Sequence, residues 1–408
     1  MGFSSLFRKP RVHLDYASAT PVSERVFDAM RPYFRDVWAN PSAVYEEGVI
    51  ARAAIERART DLARTLHVRP AGITWTSGGT EANNLAIVGT IEARRKDGMA
   101  YEEMEVLSMR IEHPSILETL TRLKERGVRV TYLPVDGDGL VSVDDVSRAL
   151  SKRVVLVTYA YVNSEIGVIQ DVKGISRAVR KWNDANEGTI LTHVDASQAP
   201  LWLPCALDSL GVDMMTLDAG KCYGPKGVGA LVRRAHVALE PVLFGGGQES
   251  GLRSGTENAA LIIGAARAFQ DAQSEHEALA KRVATLRDGA FDRILKEFPD
   301  AVVNGSKESR VANNVNVSFP GTDVEYAVIW LDAKGIATST RSACGAAGKN
   351  GSDVVREMTK DEARALSTIR FTFGRESTMS DISRAIHALK AYNSVMYGKD
   401  GVRGRGKS

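Results

Sequence analysis

Asp213-Met-Met-Thr-Leu-Asp-Ala-Gly-Lys221-Cys-Tyr-Gly-Pro-Lys-Gly-Val-Gly-Ala-Leu231 reads as a short apolar strand, Met214 to Leu217, followed by a glycine-broken turn that carries Lys221. A second apolar strand follows, Val228 to Val232. Gly224, Pro225 and Gly227 exclude a helix across this stretch. Lys221 is therefore expected on a tight turn at the end of a strand. Taken alone it reads equally as a solvated surface lysine, and the rest of the chain has to decide.

Outward from this turn the pattern alternates. Strand-like runs occur at Ile73–Thr76, Glu105–Met109, Val128–Leu133, Val154–Val162 and Ile190–Asp195. Helical patterns lie at about Ser23–Phe34, Gly48–Leu66, Ala82–Arg95, Pro114–Arg126, Val143–Leu150 and Val172–Asn186. This rhythm predicts an α/β domain with a mostly parallel sheet, whose functional loops gather at the carboxyl ends of the strands. Beyond the glycine-rich loop Gly245–Thr256, helices are expected at Glu257–Gln270 and Glu275–Glu297, with strands at Asn314–Phe319 and Thr368–Phe373. The change of character near 265–275 suggests a large domain over 16–265 and a smaller α+β domain formed by 1–15 with 266–397. Residues 1–15 read as a loose lead-in, and the basic, glycine-rich tail 398–408 as a disordered end.

At 408 residues the chain is long enough for two domains. Its 44% apolar and 25% charged residues are ordinary for a globular protein, and a net charge of +3 argues against a nucleic-acid or membrane surface. No apolar run approaches the ~18 residues needed to span a bilayer. Nothing in Met1–Arg11 has the apolar core and cleavage site of a signal peptide. Three cysteines, Cys205, Cys222 and Cys344, are too few and scattered for a disulfide framework or a metal knuckle. A cytoplasmic location, with no metal, is the expectation.

Chemistry-bearing residues recur at the strand ends: Thr80, His113, Asn163, Asp195, Gln198 and Lys221. The turn Ser77-Gly78-Gly79-Thr80-Glu81 enters a helix, where exposed N–H groups and the helix dipole suit a phosphate; by itself it reads more readily as an ordinary capping turn, with Thr80 as the cap. A strand-end lysine can form a Schiff base with an aldehyde cofactor. Pyridoxal phosphate (PLP) further needs a carboxylate for its ring nitrogen, a donor for its phenolic oxygen, a stacking side chain and a phosphate cup. Asp195, closing an apolar strand where a carboxylate needs a cationic partner, is the candidate for the first. Gln198, His113 and the Gly79–Thr80 turn are candidates for the others. Singly these residues read as a cap, a surface amide and a helix entry. Cys344 lies in Ser-Ala-Cys-Gly-Ala-Ala-Gly-Lys-Asn-Gly-Ser (342–352), a small, polar setting unlike that of an inert buried thiol, beside Arg341 that would favour its thiolate; taken alone it also reads as an ordinary loop cysteine. Cys222 and Cys205 read as packing residues.

The motifs Thr-Ser-Gly-Gly-Thr-Glu-Ala-Asn-Asn-Leu-Ala (76–86), Glu-His (112–113), Val-Asn-Ser-Glu-Ile-Gly (162–167) and His-Val-Asp-Ala-Ser-Gln (193–198) occur in unbroken order. They are followed by Lys-Cys-Tyr-Gly-Pro-Lys-Gly-Val-Gly-Ala-Leu (221–231), Arg-Ser-Gly-Thr (253–256), Arg-Ser-Ala-Cys (341–344) and Ile-Arg-Phe-Thr-Phe-Gly-Arg (369–375). Over residues 13–395 the chain thus resembles the cysteine desulfurases, PLP enzymes of the class V aminotransferase superfamily with the PLP-dependent transferase fold type I. Its Ser-Ala-Cys motif is similar to that of the branch serving iron–sulfur cluster assembly and tRNA thiolation. The resemblance implies that Lys221 carries PLP and moves protons, His113 stacks on the ring, Asp195 pairs with the ring nitrogen and Gln198 contacts the phenolic oxygen. It implies that Gly79 and Thr80 cup the phosphate, and that Thr256 reaches the phosphate of the partner in a homodimer. Asn163 and Arg370 are implied to grip the carboxylate of L-cysteine, Arg370 in a bidentate fork. Cys344 is implied to take the sulfur as a persulfide, leave L-alanine, and pass the sulfur to an acceptor protein, an iron–sulfur scaffold or a tRNA-thiolation enzyme.

Two departures stand out. The resemblance calls for Ser-x-His before the lysine, where this chain has Asp218 and Gly220. A carboxylate beside a phosphate repels it, so Asp218 is expected to point away or be offset by a cation, with the cup resting on Gly79, Thr80 and Thr256 and cofactor affinity lowered. The loop from Cys344 to Arg370 is also slightly short. Rival readings are another class V activity (an aminotransferase or selenocysteine lyase) and a PLP-binding scaffold that has lost turnover.

Overall fold

A computed structural model describes residues 11–340 and 351–398. Cys344 and Arg341, and the tail beyond Gly398, lie outside the described residues. In the N-terminal part, β1 (Val12–His13) is followed by the helices α1 (Glu24–Met30) and α2 (Glu46–Leu66). The main sheet then takes β2 (Ile73–Thr76), β3 (Glu105–Met109), β4 (Arg129–Leu133), β5 (Val154–Ala160), β6 (Leu191–Asp195), β7 (Met214–Asp218) and β8 (Gly229–Arg233). Interleaved with them are α3 (Gly79–Lys96), α4 (Pro114–Glu125), α5 (Val143–Ala149), α6 (Val172–Asn186) and the short α7 (Leu207–Leu210). The strand order is β2-β8-β7-β6-β5-β3-β4. β8 alone runs against its neighbours. The expected mostly parallel α/β sheet is what forms.

Both faces of this sheet are covered, and successive residues divide between them. Leu107, Val157, Met215 and Val232 join one apolar cluster, while Val106, Leu156, Met214 and Leu231 join the other, with Leu85, Ile91, Ile116 and Leu120 of α3 and α4. That is why the strands read as continuous apolar runs and not as alternating ones. Where β8 passes the Gly78 turn the backbones nearly touch: a Cβ on Gly229 would lie 2.5 Å from the Leu217 carbonyl oxygen and 2.8 Å from the Gly78 carbonyl carbon.

The C-terminal part departs from expectation in one respect. α8 runs unbroken from Ala259 to Glu297, 39 residues, so the two helices expected at 257–270 and 275–297 are one. The charged stretch around Glu275 suggested a break, but residues 265–288 contain neither glycine nor proline, and nothing there interrupts the helix. α8 packs against α1 and α2 at one end and α12 (Met379–Tyr397) at the other. The remaining elements are β9 (Val302–Val303), β10 (Asn314–Ser318), α9 (Val324–Ala333), β11 (Ile336–Ala337), α10 (Asp353–Thr359), α11 (Glu362–Leu366) and β12 (Thr368–Thr372). β12, β10 and β9 form an antiparallel sheet, and β1 pairs in parallel with β11. The lead-in is therefore not loose from residue 11 onward. Val12 and Leu14 are buried while His13 is exposed, a period-2 pattern too short to recognise in the sequence.

Candidate active site

Five strands that point the same way end at one cleft. β2 leads into Gly79 and Thr80, β3 into His113, β5 into Asn163, β6 ends on Asp195 before Gln198, and β7 ends on Asp218 before Lys221. All of these side chains, with Ala17, Ser18, Asn83, Ser115, Ser197 and Arg370, line a single cavity of about 150 Å³. The carboxyl ends of parallel strands are where such folds gather ligands. Thr256 is exposed and does not line this cleft.

Lys221 closes a single 3₁₀ turn, Ala219–Lys221, and its Nζ donates to the Ser18 carbonyl at 2.5 Å. The turn is held from below. Tyr223 adopts φ 62°, costly for a bulky residue. Its N–H donates to Thr20 Oγ1, its hydroxyl accepts from the Arg375 N–H, and the Arg375 guanidinium lies 4.2 Å from the ring centroid. The other lysine of the motif, Lys226, is exposed, does not line the cleft, and donates to the Thr20 carbonyl.

Asp195 is 8% exposed and has only neutral donors: Asn83 Nδ2 at 2.7 Å and the Ser197 N–H at 2.9 Å. A buried carboxylate so placed calls for a cation, and none among the described residues pairs with it. Asn83 also donates to Ser115 Oγ, and Ser115 Oγ and N–H meet His113 Nδ1 at 2.8 and 3.1 Å. The N–H donation to Nδ1 leaves the neutral ring's proton on Nε2. Burial lowers the His113 pKa, outweighing the nearby Asp195 charge that raises it, so the ring is neutral near pH 7.

Three expected ligand contacts are partly engaged within the protein. Gln198 Nε2 donates to the Ala17 carbonyl. Asn163 Nδ2 donates to the Ile111 carbonyl, and its Oδ1 accepts from the Glu165 and Ile166 N–H groups, leaving one Nδ2 hydrogen for a ligand. Arg370 is 1% exposed, with Nη2 on Asp15 (2.7 Å) and Ser18 (2.9 Å) and Nη1 on the Ser164 carbonyl (2.8 Å). Its Nε is buried without a partner among the described residues.

Asp218 corrects an expectation: it neither points away from the phosphate turn nor meets an offsetting cation. Its Oδ2 accepts from the Gly79 N–H at 3.1 Å, at the start of α3, and its Oδ1 from the Gly220 N–H at 2.9 Å. The expectation assumed that repulsion would turn the carboxylate outward. In the protein alone the helix N-terminus attracts it. The ring-binding end of the cleft therefore fits PLP, with a neutral imidazole, an unpaired buried carboxylate and a positioned lysine. The phosphate end holds an acid on the amide that a phosphate needs.

Asn83, Ser115, Ser18 and Asp15 carry no assignment from sequence. Asn83 stands four residues after Gly79, one helical turn along α3, and that spacing was the available signal. Asp15 and Ser18 come from a distant segment and gave none. Cys205 and Cys222 are both buried, and burial pushes both thiols up, as packing residues require.

Glu112, beside His113, is buried, and neither carboxyl oxygen has a hydrogen-bond partner among the described residues. Burial pushes its pKa up to about 8; a backbone contact at Ala160 offsets part of this, and the Asp195 charge adds to it. Folding thus holds a proton on Glu112 above the ordinary glutamate range. The stability it brings is complete below that range and lost as pH rises through about 8. We expect Glu112→Gln to flatten the fall in unfolding free energy between about pH 5 and about pH 9, by on the order of a few kcal/mol in denaturant titrations. A variant whose profile parallels the parent would remove Glu112 as the titrating group.

The family profile described as aminotransferase class-V matches residues 12–385. The chain is 36% identical over 382 residues to the cysteine desulfurase IscS of Dictyoglomus turgidum, covering 94% of each chain. It is 37% identical over 377 residues to cysteine desulfurase IscS 1 of Archaeoglobus fulgidus, covering 92% of this chain and 95% of the relative. In structure it is similar to a NifS-like protein, with a TM-score of 0.86 and 31% identity over 95% of this chain and 100% of that one. It is also similar to SspA in complex with cysteine, with a TM-score of 0.76 and 33% identity over 89% and 98%. The architecture is that of fold type I. No helix among the described residues is long and apolar enough to cross a membrane.

Proposed function

This chain belongs to the class-V aminotransferase family, and from that premise we propose that it is a cysteine desulfurase using pyridoxal phosphate. The observation that carries this reading is the convergence of Lys221, Asp195, His113, Gln198, Thr80 and Arg370 on one cleft. When bound, PLP supplies an aldehyde for amines and a cationic ring that withdraws electrons. In this reading Lys221 holds the cofactor covalently and moves a proton at its Nζ. Asp195 supplies the charge that keeps the ring nitrogen protonated, through a carboxylate already oriented by Asn83 and the Ser197 N–H. Gln198 uses its second Nε2 hydrogen on the phenolic oxygen, and neutral His113 offers its ring face and its Nε2 proton.

The substrate is L-cysteine, with its carboxylate oriented by Arg370 and by the remaining Asn163 hydrogen. Arg370 is held by Asp15, Ser18 and Ser164, so it enters the reaction already oriented. The carbon–sulfur bond of the substrate breaks as a sulfur–sulfur bond to Cys344 forms, giving a persulfide and, after protonation at carbon, L-alanine. The persulfide sulfur passes to an acceptor protein, an iron–sulfur scaffold or a tRNA-thiolation enzyme. Thr256, exposed and away from its own cleft, is proposed to complete the phosphate cup of a second copy. The exposed Phe34, Trp38, Val44, Tyr45 and Ile50 support a homodimer. Cytoplasmic placement and the division into 16–265 and 1–15 with 266–397, joined through α8, belong to the same proposal.

Incubation of the PLP-loaded protein with L-cysteine and a thiol reductant is expected to give sulfide and alanine in equal amounts. Turnover that needs a keto acid and yields no sulfide would replace this reading by an aminotransferase. The placement of Asp218 favours one other reading, a cofactor-binding scaffold without turnover; a protein that binds PLP but releases neither product would select it.

A further inference from the structure

The N-terminus of α3 is the natural seat for the phosphate of PLP, since its first N–H groups and dipole face the cleft. In this chain that seat already holds an anion. Asp218 closes β7 and spans two donors, the Gly79 N–H with Oδ2 (3.1 Å) and the Gly220 N–H with Oδ1 (2.9 Å). The fit is tight: a Cβ on Gly79 would stand 2.9 Å from Ser197 Oγ and 3.3 Å from Asp218 Oδ2. Among the described residues Asp218 has no ion-pair partner. The charged groups nearby are committed elsewhere. Lys221 is on the Ser18 carbonyl, Lys226 on the Thr20 carbonyl, and Arg253 on Glu81.

A phosphate monoester and a carboxylate cannot share the Gly79 N–H without strong repulsion at such short range. We propose that Asp218 is an internal anion that stands in for the cofactor's phosphate, so that PLP must displace the Asp218 side chain from the α3 N-terminus in order to load. The inference rests on the PLP reading above and concerns the phosphate alone. The carboxylate satisfies the helix end before the cofactor binds, and it lowers phosphate affinity by the work of its own displacement. The aldehyde and ring ends of the cofactor meet Lys221 and Asp195 and are untouched by it.

The test compares two ligands that differ only in the phosphate. Binding of PLP and of pyridoxal to the full chain is followed by the absorbance of the lysine-bound chromophore, in the parent and in Asp218→Asn and Asp218→Ser. PLP is expected to bind both variants at least tenfold more tightly than the parent, with pyridoxal changed less than about twofold. Asp218→Asn keeps the shape and removes the charge, so a gain there assigns the effect to the anion. A site merely loosened by substitution would weaken both ligands. Unchanged or weaker PLP binding by Asp218→Asn overturns the proposal, while lysine-bound PLP in the parent leaves the cofactor reading intact. Failure of both ligands to bind any of the three proteins overturns the cofactor reading and this inference with it.

Discussion

Cys344→Ser is expected to retain the yellow colour of bound cofactor and to release no sulfide from L-cysteine, a loss of at least about three orders of magnitude, as for other nucleophiles that act as a unit with their site. Of the three cysteines, Cys205 and Cys222 are buried, do not line the cleft and have thiols that burial holds protonated. Neither can act as a thiolate near pH 7. Cys344 lies outside the described residues, but the segments that flank it do not. Ser339 pairs backbone to backbone with Arg370 in the cleft, and Ser352 Oγ donates to Glu165 at 2.6 Å, two residues from Asn163. The stretch carrying Cys344 therefore leaves and rejoins the described structure beside the proposed substrate carboxylate site. Sulfide release at the parent rate by Cys344→Ser would remove this residue from the mechanism.

Lys221→Ala is expected to lose the covalent chromophore and at least about 10³-fold in desulfurase rate, because one substitution removes both the cofactor's anchor and the group that moves its protons, itself typically a factor of about 10²–10⁴. Borohydride treatment of the loaded parent followed by peptide mapping is expected to place the reduced cofactor on Lys221. Mapping to Lys226 would break the assignment. The geometry separates the two lysines: Lys221 lines the cleft, whereas Lys226 is exposed and donates to the Thr20 carbonyl. Their sequence separation of five residues conceals this, since the chain reverses direction between the antiparallel β7 and β8 that flank them.

The fold was legible because both faces of a parallel sheet are buried, which makes each strand a short, dense apolar run. Helix ends and irregular connections were less so. The unbroken α8 was obscured by charged residues on an exposed face, although the absence of glycine and proline across 265–288 carried the right information. β1 and β11 escaped notice because a two-residue strand has no period to detect and depends wholly on its partner.

The proposed cofactor-binding residues Thr80, His113, Asn163, Gln198 and Lys221 were readable one by one, since each follows a strand end within a few positions. Their second partners were not. The Asn83–Ser115–His113 chain, the hold of Asp15 and Ser18 on Arg370, and the neutral donors of the Asp195 carboxylate arise from segments up to 355 residues apart. Asp218 shows the division most sharply. Its identity and its place three residues before the lysine are properties of the sequence, and so is the conflict between a carboxylate and a phosphate. Where that carboxylate goes is a tertiary matter, decided by α3 presenting its N-terminal amide across the end of β7. Local chemistry told which groups the chain carries; only packing told which donors they meet, because an amide and an acid 139 residues apart have no interaction until the sheet brings them to 3.1 Å.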